Sequence, residues 1–233
     1  MKILAVDSTA VTASIAITED ERLLAEYTVC CGNTHSETLL PMIESALKTL
    51  RLTVSDIDLF ACSAGPGSFT GVRIGAAVIK GLTFGKGRAC VGVSTLEALA
   101  YNLCDHAGLI CPVMNARRSQ AYTALFESDG KELTRLTDDT PMMISELDDM
   151  LAKYDRPIRF CGDGYGITLA EIKKCSYIPT SERSIYQSAY SVARVALKKH
   201  QAGESVSDAA LVATYLRPCQ AERELAEKMK KEN

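Results

Sequence analysis

Two successive series of the same secondary-structure types are the feature that most limits the fold of this 233-residue chain. Residues 2–8, 12–18 and 22–29 are short runs rich in Ile, Val, Leu, Thr and Ala, separated by turn-forming residues, which predicts three antiparallel strands. Helices and buried strands are predicted next, and after Cys104 a new series of strands begins. Such a repeat predicts an α/β chain that folds as two similar lobes.

The first lobe is predicted to contain three helices. Apolar residues recur in a helical stripe at positions 39, 40, 43, 47 and 50. This stripe predicts a helix over 38–50, with Thr38 as its N-cap and Pro41 in its first turn. The next predicted elements are a strand over 58–63, a helix over 69–84 and a strand over 89–93. Ser94 and Glu97 then have the spacing of a capping box that opens a third helix.

The second lobe is predicted to be smaller. Its predicted strands cover 109–114, 120–127, 132–136 and 158–162, and its predicted helices cover 144–153 and 184–201. We therefore divide the chain into an N-terminal lobe at 1–104, a C-terminal lobe at 105–221 and a charged Glu/Lys-rich tail at 222–233. This division leaves open whether the last helix of the second lobe packs back on the first lobe.

Composition excludes several classes of protein. The formal charge is −3, with acids and bases spread along the chain, so we expect no strong RNA binding by this chain alone. Asp7 interrupts the apolar N-terminal run, and no segment approaches the length needed to span a membrane. These features predict a cytoplasmic protein without membrane contact.

Cysteine and histidine spacing argues against metal chemistry. The nine cysteines are scattered without a C-x-x-C pair, so we interpret them as reduced, buried packing residues. The three histidines are His35, His106 and His200, and no two of them have the i, i+4 spacing of a helical metal site. We therefore predict no metal site.

The segment Gly65–Gly75 joins a predicted strand to a predicted helix. Glycine-rich turns of this kind can bind phosphate through backbone N–H groups and the positive end of the helix dipole. However, the glycine spacing matches neither common phosphate-binding motif, and Pro66 lacks an N–H donor. Gly65 and Gly67 are therefore candidate nucleotide contacts on weak grounds.

The first predicted hairpin offers further candidate nucleotide contacts. It carries Asp7, Ser8 and Thr9, a carboxylate and two hydroxyls that could hold phosphate or Mg²⁺, but these residue types are also ordinary turn formers.

The predicted helix over 69–84 contains glycines, and each glycine inside a helix destabilises it by roughly 0.5–1 kcal/mol relative to alanine. Gly71 and Gly75 lie one turn apart, and Val78 and Leu82 continue the same side. This face could pack closely on the rest of the chain, or it could dock a helix of another subunit. The sequence leaves both interpretations open.

Three other polar segments have two interpretations each. His35-Ser36-Glu37 fits a helix entry better than a catalytic group, because consecutive residues there point in different directions. Asn115-Ala116-Arg117-Arg118 could meet an acidic partner or a phosphate, or form a solvated turn. Gly162-Asp163-Gly164 is a turn that carries a carboxylate.

Five segments, taken in order, resemble one family along almost the whole chain. They are Ile3-Leu4-Ala5-Val6-Asp7, His35-Ser36-Glu37 with Leu39-Leu40-Pro41, Gly65 through Gly75, Ser94 through Ala100, and Tyr215-Leu216-Arg217-Pro218 with Gln220-Ala221-Glu222. The family is the TsaB (YeaZ-like) family, and Gly65 through Gly75 is the most specific of the five segments.

The resemblance implies two ribonuclease H-like lobes of the actin-like ATPase (ASKHA) superfamily. It also implies a non-catalytic partner of TsaD, the transferase that forms N6-threonylcarbamoyladenosine at position 37 of tRNA, with the ATPase TsaE joining the pair. On this basis we expect no catalytic residues, no cofactor of the chain's own, and contact with tRNA only through the complex. Binding of ATP or ADP at the junction with the partner, and formation of a homodimer, stay open.

In the family, two N-terminal helices dock on the partner, and they correspond here to 36–50 and 69–85. The residues expected on this docking surface are His35, Glu37, Leu40, Ile43, Leu47, Phe69, Gly71, Val72, Ile74, Gly75, Val78, Ile79 and Leu82. The expectation agrees with the docking interpretation of the glycine-bearing helix.

The sequence departs from the family at two places. Ser8-Thr9 reverses the usual Thr-Ser order after Asp7, and Asn115 stands where members often have aspartate, which removes a charge. An independent ATPase or sugar-kinase-like enzyme of the same fold class is the first alternative function. A peptidase is the second, although neither the histidine spacing nor any Ser-His-Asp or Cys-His order supports it.

Overall fold

A computed structural model describes residues 1–32 and 34–217 of the chain. The elements of the first half are β1 (Lys2–Asp7), β2 (Ala13–Glu19), β3 (Arg22–Val29), α1 (His35–Leu50), β4 (Leu59–Gly65), α2 (Phe69–Thr83), β5 (Ala89–Ser94) and α3 (Thr95–Tyr101). Their five strands form one sheet in the order β3-β2-β1-β4-β5, in which β1 is antiparallel to β2 and parallel to β4.

The elements of the second half follow the same plan. They are β6 (Gly108–Asn115), β7 (Gln120–Thr123), β8 (Phe126–Ser128), β9 (Leu133–Arg135), β10 (Thr140–Met143), α4 (Ile144–Leu151), β11 (Ile158–Cys161), α5 (Tyr165–Glu171), β12 (Tyr177–Ile178), α6 (Glu182–Ile185) and α7 (Ala189–Gln201). The main path of the second sheet is β10-β7-β6-β11-β12, with β8 and β9 attached to β6. The central strand β6 is antiparallel to β7 and parallel to β11, as β1 is to β2 and β4. The repeat that the sequence predicts is therefore confirmed.

Helices cover both faces of the first sheet because side chains alternate along its buried strands. Leu4 and Val6 of β1 belong to the core formed with α1 and α2. Ile3 and Ala5 belong to the core on the opposite face, which α7 and α3 complete. The last long helix of the chain thus packs on the sheet of the first half.

Helix α1 begins one turn earlier than predicted. Thr34 is its N-cap position, and the predicted cap Thr38 lies in the first turn, where its hydroxyl donates to the Thr34 carbonyl at 3.3 Å. Pro41 consequently lies in the second turn, not in the first. The cause is a tertiary contact, because His35 Nε2 bonds the carbonyl oxygen of Ala10 at 2.7 Å and fixes the entry of the helix.

The predicted strand over 120–127 is two strands, β7 and β8. Ile110 pairs with Phe126 and Val113 pairs with Thr123, so one register continues across the break and sets Pro112 opposite Ala124. Proline has no N–H to donate to the ladder, which accounts for the interruption.

The predicted helix over 184–201 is likewise divided, into α6 and α7. The carbonyl oxygen of Ile185 accepts a hydrogen bond from Gly162 N at 2.6 Å, and the Ser188 hydroxyl caps the new helix. The elements β10, α5 and β12 were not predicted.

The cysteine prediction is correct in part. Cys62 and Cys111 are buried, and burial raises the pKa of each thiol to about 12, so both are protonated packing residues. Cys90 and Cys161 are buried as well, whereas Cys30 and Cys31 are exposed and do not pack in a core. Cys219 lies outside the described residues. No helix of the described part of the chain is long and apolar enough to cross a membrane.

Candidate functional site

Corresponding loops of the two halves face each other across a cleft of about 580 Å³. On one side are Thr9 of the β1–β2 loop and the segment Gly67–Thr70 at the start of α2. On the other side are Asn115–Arg117 of the β6–β7 loop and Asp163, and Arg217 completes the lining. The cleft lies at the carboxyl ends of the central parallel strands, which is where α/β sheets commonly bind ligands.

The carboxylate of Asp7 is enclosed beneath this cleft and is 1% exposed. It accepts hydrogen bonds from the Thr9 backbone N–H at 2.9 Å, from the Thr9 hydroxyl at 2.7 Å, and from the Ser63 hydroxyl. Burial raises the pKa of Asp7 above its ordinary value of 3.8, although the hydrogen bonds from Ser63 and Thr9 act in the opposite direction. Asp7 and Thr9 therefore bind each other and brace the first hairpin.

The glycine-rich turn is closed by backbone of the same chain. A Cβ atom at Gly65 would lie 2.3 Å from the Thr214 carbonyl oxygen, and one at Gly67 would lie 2.6 Å from the Thr9 carbonyl oxygen. The N–H group of Ser68 donates to the same Thr9 oxygen at 2.7 Å. These two glycines therefore have a role in packing the turn against the same chain, and their assignment as nucleotide contacts stays a prediction, with Gly67 in the cleft lining.

The second half contains a matching turn after β11. A Cβ atom at Gly162 would lie 2.2 Å from the Val113 carbonyl oxygen, and Gly164 N donates to the same oxygen at 3.0 Å. Between these glycines, burial raises the pKa of Asp163 to about 6, and the Asp7 carboxylate adds to the rise. Asn115 N donates to Asp163 at 3.3 Å. The carboxyl group of Asp163 is therefore the titratable group of the cleft interior.

The side chain of Asn115 stabilises the β6–β7 turn as an aspartate would, but it carries no charge. Its side-chain oxygen accepts a hydrogen bond from Arg117 N at 2.8 Å, which holds the β6–β7 loop. The departure from the family at this position thus preserves the turn.

A strap formed by residues 206–217 runs from the first half to the second. Leu211 is buried in the core of the first half, and Thr214 N donates to the Ala64 carbonyl at 2.7 Å. The ring of Tyr215 stacks on Phe69 of α2 with centroids 4.0 Å apart, and Arg73 Nε donates to the Tyr215 hydroxyl at 2.9 Å. This strap carries residues of the most C-terminal segment of the family resemblance.

The interpretation of Gly71 and Gly75 as an outward docking face is wrong. A Cβ atom at Gly71 would lie 2.0 Å from the Ser8 carbonyl oxygen, and one at Gly75 would lie 2.7 Å from the Ser8 hydroxyl. The Ser8 hydroxyl also donates to the Gly71 carbonyl at 2.8 Å. The glycine face lets α2 approach the end of β1, which is the intrachain alternative.

Six of the residues expected on the docking surface are consequently buried. They are Ile43, Leu47, Gly71, Val72, Gly75 and Ile79. Exposed or half-buried positions among the expected residues are His35, Glu37, Leu40, Phe69, Ile74, Val78 and Leu82. Glu37 is exposed on the first turn of α1, and His35 anchors that turn to the Ala10 carbonyl.

Helices α1 and α2 nevertheless present an accessible surface, which we name the α1–α2 face. The name covers the exposed or half-buried residues Leu40 of α1, Ile74, Ala77, Val78 and Gly81 of α2, and Phe84, which directly follows α2. Leu40 is 50% exposed and Phe84 is 80% exposed, although both are large and apolar. A Cβ atom at Gly81 would meet no atom within 4 Å, so the middle of this face is open.

Sequence reasoning missed Ala77, Gly81 and Phe84 as members of this face. Ala77 and Gly81 have the i, i+4 spacing of one side of a helix, and Phe84 follows three residues later, just past the end of α2. Gly71 and Gly75 form a second pair of small residues with the same spacing in this helix, so spacing alone does not distinguish the two pairs.

The chain is thus a two-lobed α/β protein in which both lobes share one strand order and corresponding loops enclose a cleft. A family model described as "TsaD: tRNA N6-adenosine threonylcarbamoyltransferase" matches residues 30–229. The chain belongs to this family, and within it to the TsaB (YeaZ-like) group, as its relatives show.

The tRNA threonylcarbamoyladenosine biosynthesis protein TsaB of Bacillus subtilis (strain 168) is 35% identical over 162 residues, which are 70% of this chain and 71% of the relative. The protein of the same name from Escherichia coli (strain K12) is 34% identical over 131 residues, which are 55% of this chain and 56% of the relative. The solved structure of YeaZ from Pseudomonas aeruginosa has a TM-score of 0.80 at 24% identity and covers 92% of this chain and 99% of that chain.

Proposed function

We propose that the chain takes part in forming N6-threonylcarbamoyladenosine at position 37 of tRNA, as a non-catalytic subunit that docks on and activates a TsaD-like transferase. The names of its relatives support the pathway. The α1–α2 face supports the docking role, because large apolar side chains exposed on adjacent helices commonly mark an interaction site.

The chemistry of the α1–α2 face suits a helix of a partner. Ala77 and Gly81 are small and exposed on α2, while Leu40 of α1 and Phe84 after α2 are large, apolar and exposed. Small residues let another helix approach closely, and a few large side chains that become buried supply most of the binding energy of an interface. A second copy of the chain fits the same face, so a homodimer competes with the heterodimer for it.

The cleft supports the non-catalytic part of the proposal. Asp7, a candidate contact for phosphate or Mg²⁺, is enclosed and accepts hydrogen bonds from Thr9 and Ser63. We propose that the chain needs no cofactor of its own, that ATP or ADP binds at the junction with the partner, that a TsaE-like ATPase joins the pair, and that tRNA is met in the complex. Turnover of ATP by the pure chain would instead favour the enzyme alternative.

Co-purification with a TsaD-like subunit tests the docking role. Gly81→Arg introduces a long cation at the centre of the α1–α2 face without an internal clash, since the position is open. Loss of a well-packed interface centre costs at least about 2 kcal/mol, so the Kd of the complex is expected to rise on the order of 30-fold.

Gly166→Arg is the matched control for this experiment. Gly166 is also helical and exposed, it lies in α5 of the second half, and a Cβ atom there would meet no atom within 4 Å. Circular dichroism should show both variants folded. Undiminished binding of folded Gly81→Arg to the transferase would contradict docking through this face.

A further inference from the structure

The rim of the cleft carries a concentration of arginines that is unexpected in a chain of formal charge −3. Arg117 and Arg217 line the cleft, and Arg118 is exposed beside Arg117 on the β6–β7 loop. None of the three has a carboxylate within 4.0 Å among residues 1–32 and 34–217, whereas Arg135 and Arg194 are both paired with acids. Their charges are therefore available to an anionic ligand.

The loop that carries two of these arginines has a costly backbone conformation. Arg117, Arg118 and Ser119 have φ values of 63°, 56° and 53°, which side-chain-bearing residues rarely adopt. Hydrogen bonds hold the turn, from Arg117 N to Asn115 at 2.8 Å and from the Ser119 hydroxyl to Glu171 at 2.9 Å. Such conformations persist where the surroundings enforce them and tend to occur at binding sites.

Arg217 is positioned on the same rim by the second half. Its guanidinium donates to the Ala116 carbonyl oxygen at 3.3 Å and lies 5.9 Å from the centre of the Tyr122 ring. A guanidinium has five N–H donors, so this anchoring leaves donors for a phosphate. Two elements that are distant in sequence thus bring cations to one edge.

The cleft interior is unsuited to the phosphates of a nucleotide. Backbone oxygens fill the spaces beside Gly65 and Gly67, and the Asp163 carboxyl group lies inside. A phosphate that enters deeply would therefore meet carbonyl oxygens and an acid. The exposed rim instead suits the phosphates of an extended backbone that passes across it.

We propose that Arg117, Arg118 and Arg217 bind the phosphodiester backbone of the tRNA substrate when the chain is in its complex. The inference rests on the proposed function and deepens it, because it names the part of the subunit that touches the RNA. The rim adjoins Phe69 and Thr70 at the start of α2, so it begins at one end of the helix that forms the α1–α2 face.

The test measures the Kd of tRNA for the assembled complex with a TsaD-like partner at salt concentrations from roughly 50 to 300 mM. The dependence of this Kd on salt reports the number of phosphate contacts. Loss of one phosphate contact makes the negative slope of log K against log salt shallower by about 0.7–0.9 and weakens binding about five- to eightfold at roughly 0.1 M salt. Arg117→Ala is expected to show both effects, and Arg117→Lys is expected to retain most of the affinity. Arg183→Ala removes another exposed arginine, which lines a different cavity, and it should match the wild type.

Each result has a defined meaning. A normal complex in which Arg117→Ala and Arg183→Ala bind tRNA equally would overturn the inference and leave the proposed function intact. Absence of any complex with the wild-type chain would overturn the proposed function and the inference with it. Calorimetric titration with ADP provides the last arm, since weaker ADP binding by Arg117→Ala at unchanged tRNA affinity would assign the rim to a nucleotide and overturn the inference.

Discussion

Alanine substitutions of two glycines in helix α2 should change the stability of the chain in opposite directions. A Cβ atom at Gly71 would lie 2.0 Å from the Ser8 carbonyl oxygen, so α2 must move away from the end of β1 to accept it. Overpacking of this kind costs about 1–3 kcal/mol, and displacing the buried hydrogen bond from Ser8 to Gly71 adds about 1 kcal/mol. We expect Gly71→Ala to lower the free energy of unfolding by about 2–4 kcal/mol.

Gly81→Ala provides the opposite case in the same helix. The added methyl group meets open space, and alanine restricts the unfolded chain more than glycine does. The free energy of unfolding should rise by about 0.5–1 kcal/mol.

Urea denaturation followed by circular dichroism measures both changes, with the slope m checked for constancy. Equal stability of the two variants would refute the assignment of Gly71 to the interior and Gly81 to the surface. The pair therefore tests the orientation of α2 without any partner protein.

Three further outcomes are expected. Phe84→Ala should change the free energy of unfolding by less than about 0.5 kcal/mol, because the ring is exposed, but it should weaken transferase binding on the order of 10-fold in a titration. Asp163→Asn should stabilise the chain at pH 7.5 by at most about 3 kcal/mol, since a folded pKa of about 6 against 3.8 favours the protonated carboxyl. The free energy of unfolding of the wild type should accordingly fall as pH rises from about 4 to about 6, between the unfolded and folded pKa values of Asp163. A Tm difference between variant and wild type that persists at about pH 3.5 would contradict this. Tyr215→Ala removes a stacked pair worth about 0.5–1.5 kcal/mol and should speed amide exchange at Thr214; unchanged exchange would argue against the strap.

Local periodicity was sufficient for the elements whose residues alternate or repeat clearly. The three opening strands and the helix over 69–84 were predictable because their apolar spacing is regular and their ends carry turn residues. The duplicated plan was predictable for the same reason, since the same succession of patterns occurs twice.

Features set by contacts between distant residues were not predictable. The start of α1 depends on the bond from His35 to the Ala10 carbonyl, and the break in the strand over 120–127 depends on the Pro112 backbone opposite. Local residue patterns contain neither contact. The burial that raises the pKa of Asp163 likewise arises from packing between separate elements.

The orientation of α2 is the clearest case at the candidate site. Gly71 with Gly75, and Ala77 with Gly81, are two small-residue pairs with the same spacing on different sides of one helix. Helical periodicity fixes their relative angle and says nothing about which pair faces inward. The Ser8 backbone decides this, and it is 63 residues away in sequence.

The most direct test of the account is mass spectrometry of tRNA nucleosides from cells depleted of this protein and supplied again with wild type, Gly81→Arg or Gly166→Arg. The account predicts that depletion removes N6-threonylcarbamoyladenosine, that wild type and Gly166→Arg restore it, and that Gly81→Arg does not, although all three proteins accumulate to similar levels. Full restoration by Gly81→Arg, or unchanged modification after depletion, would contradict it.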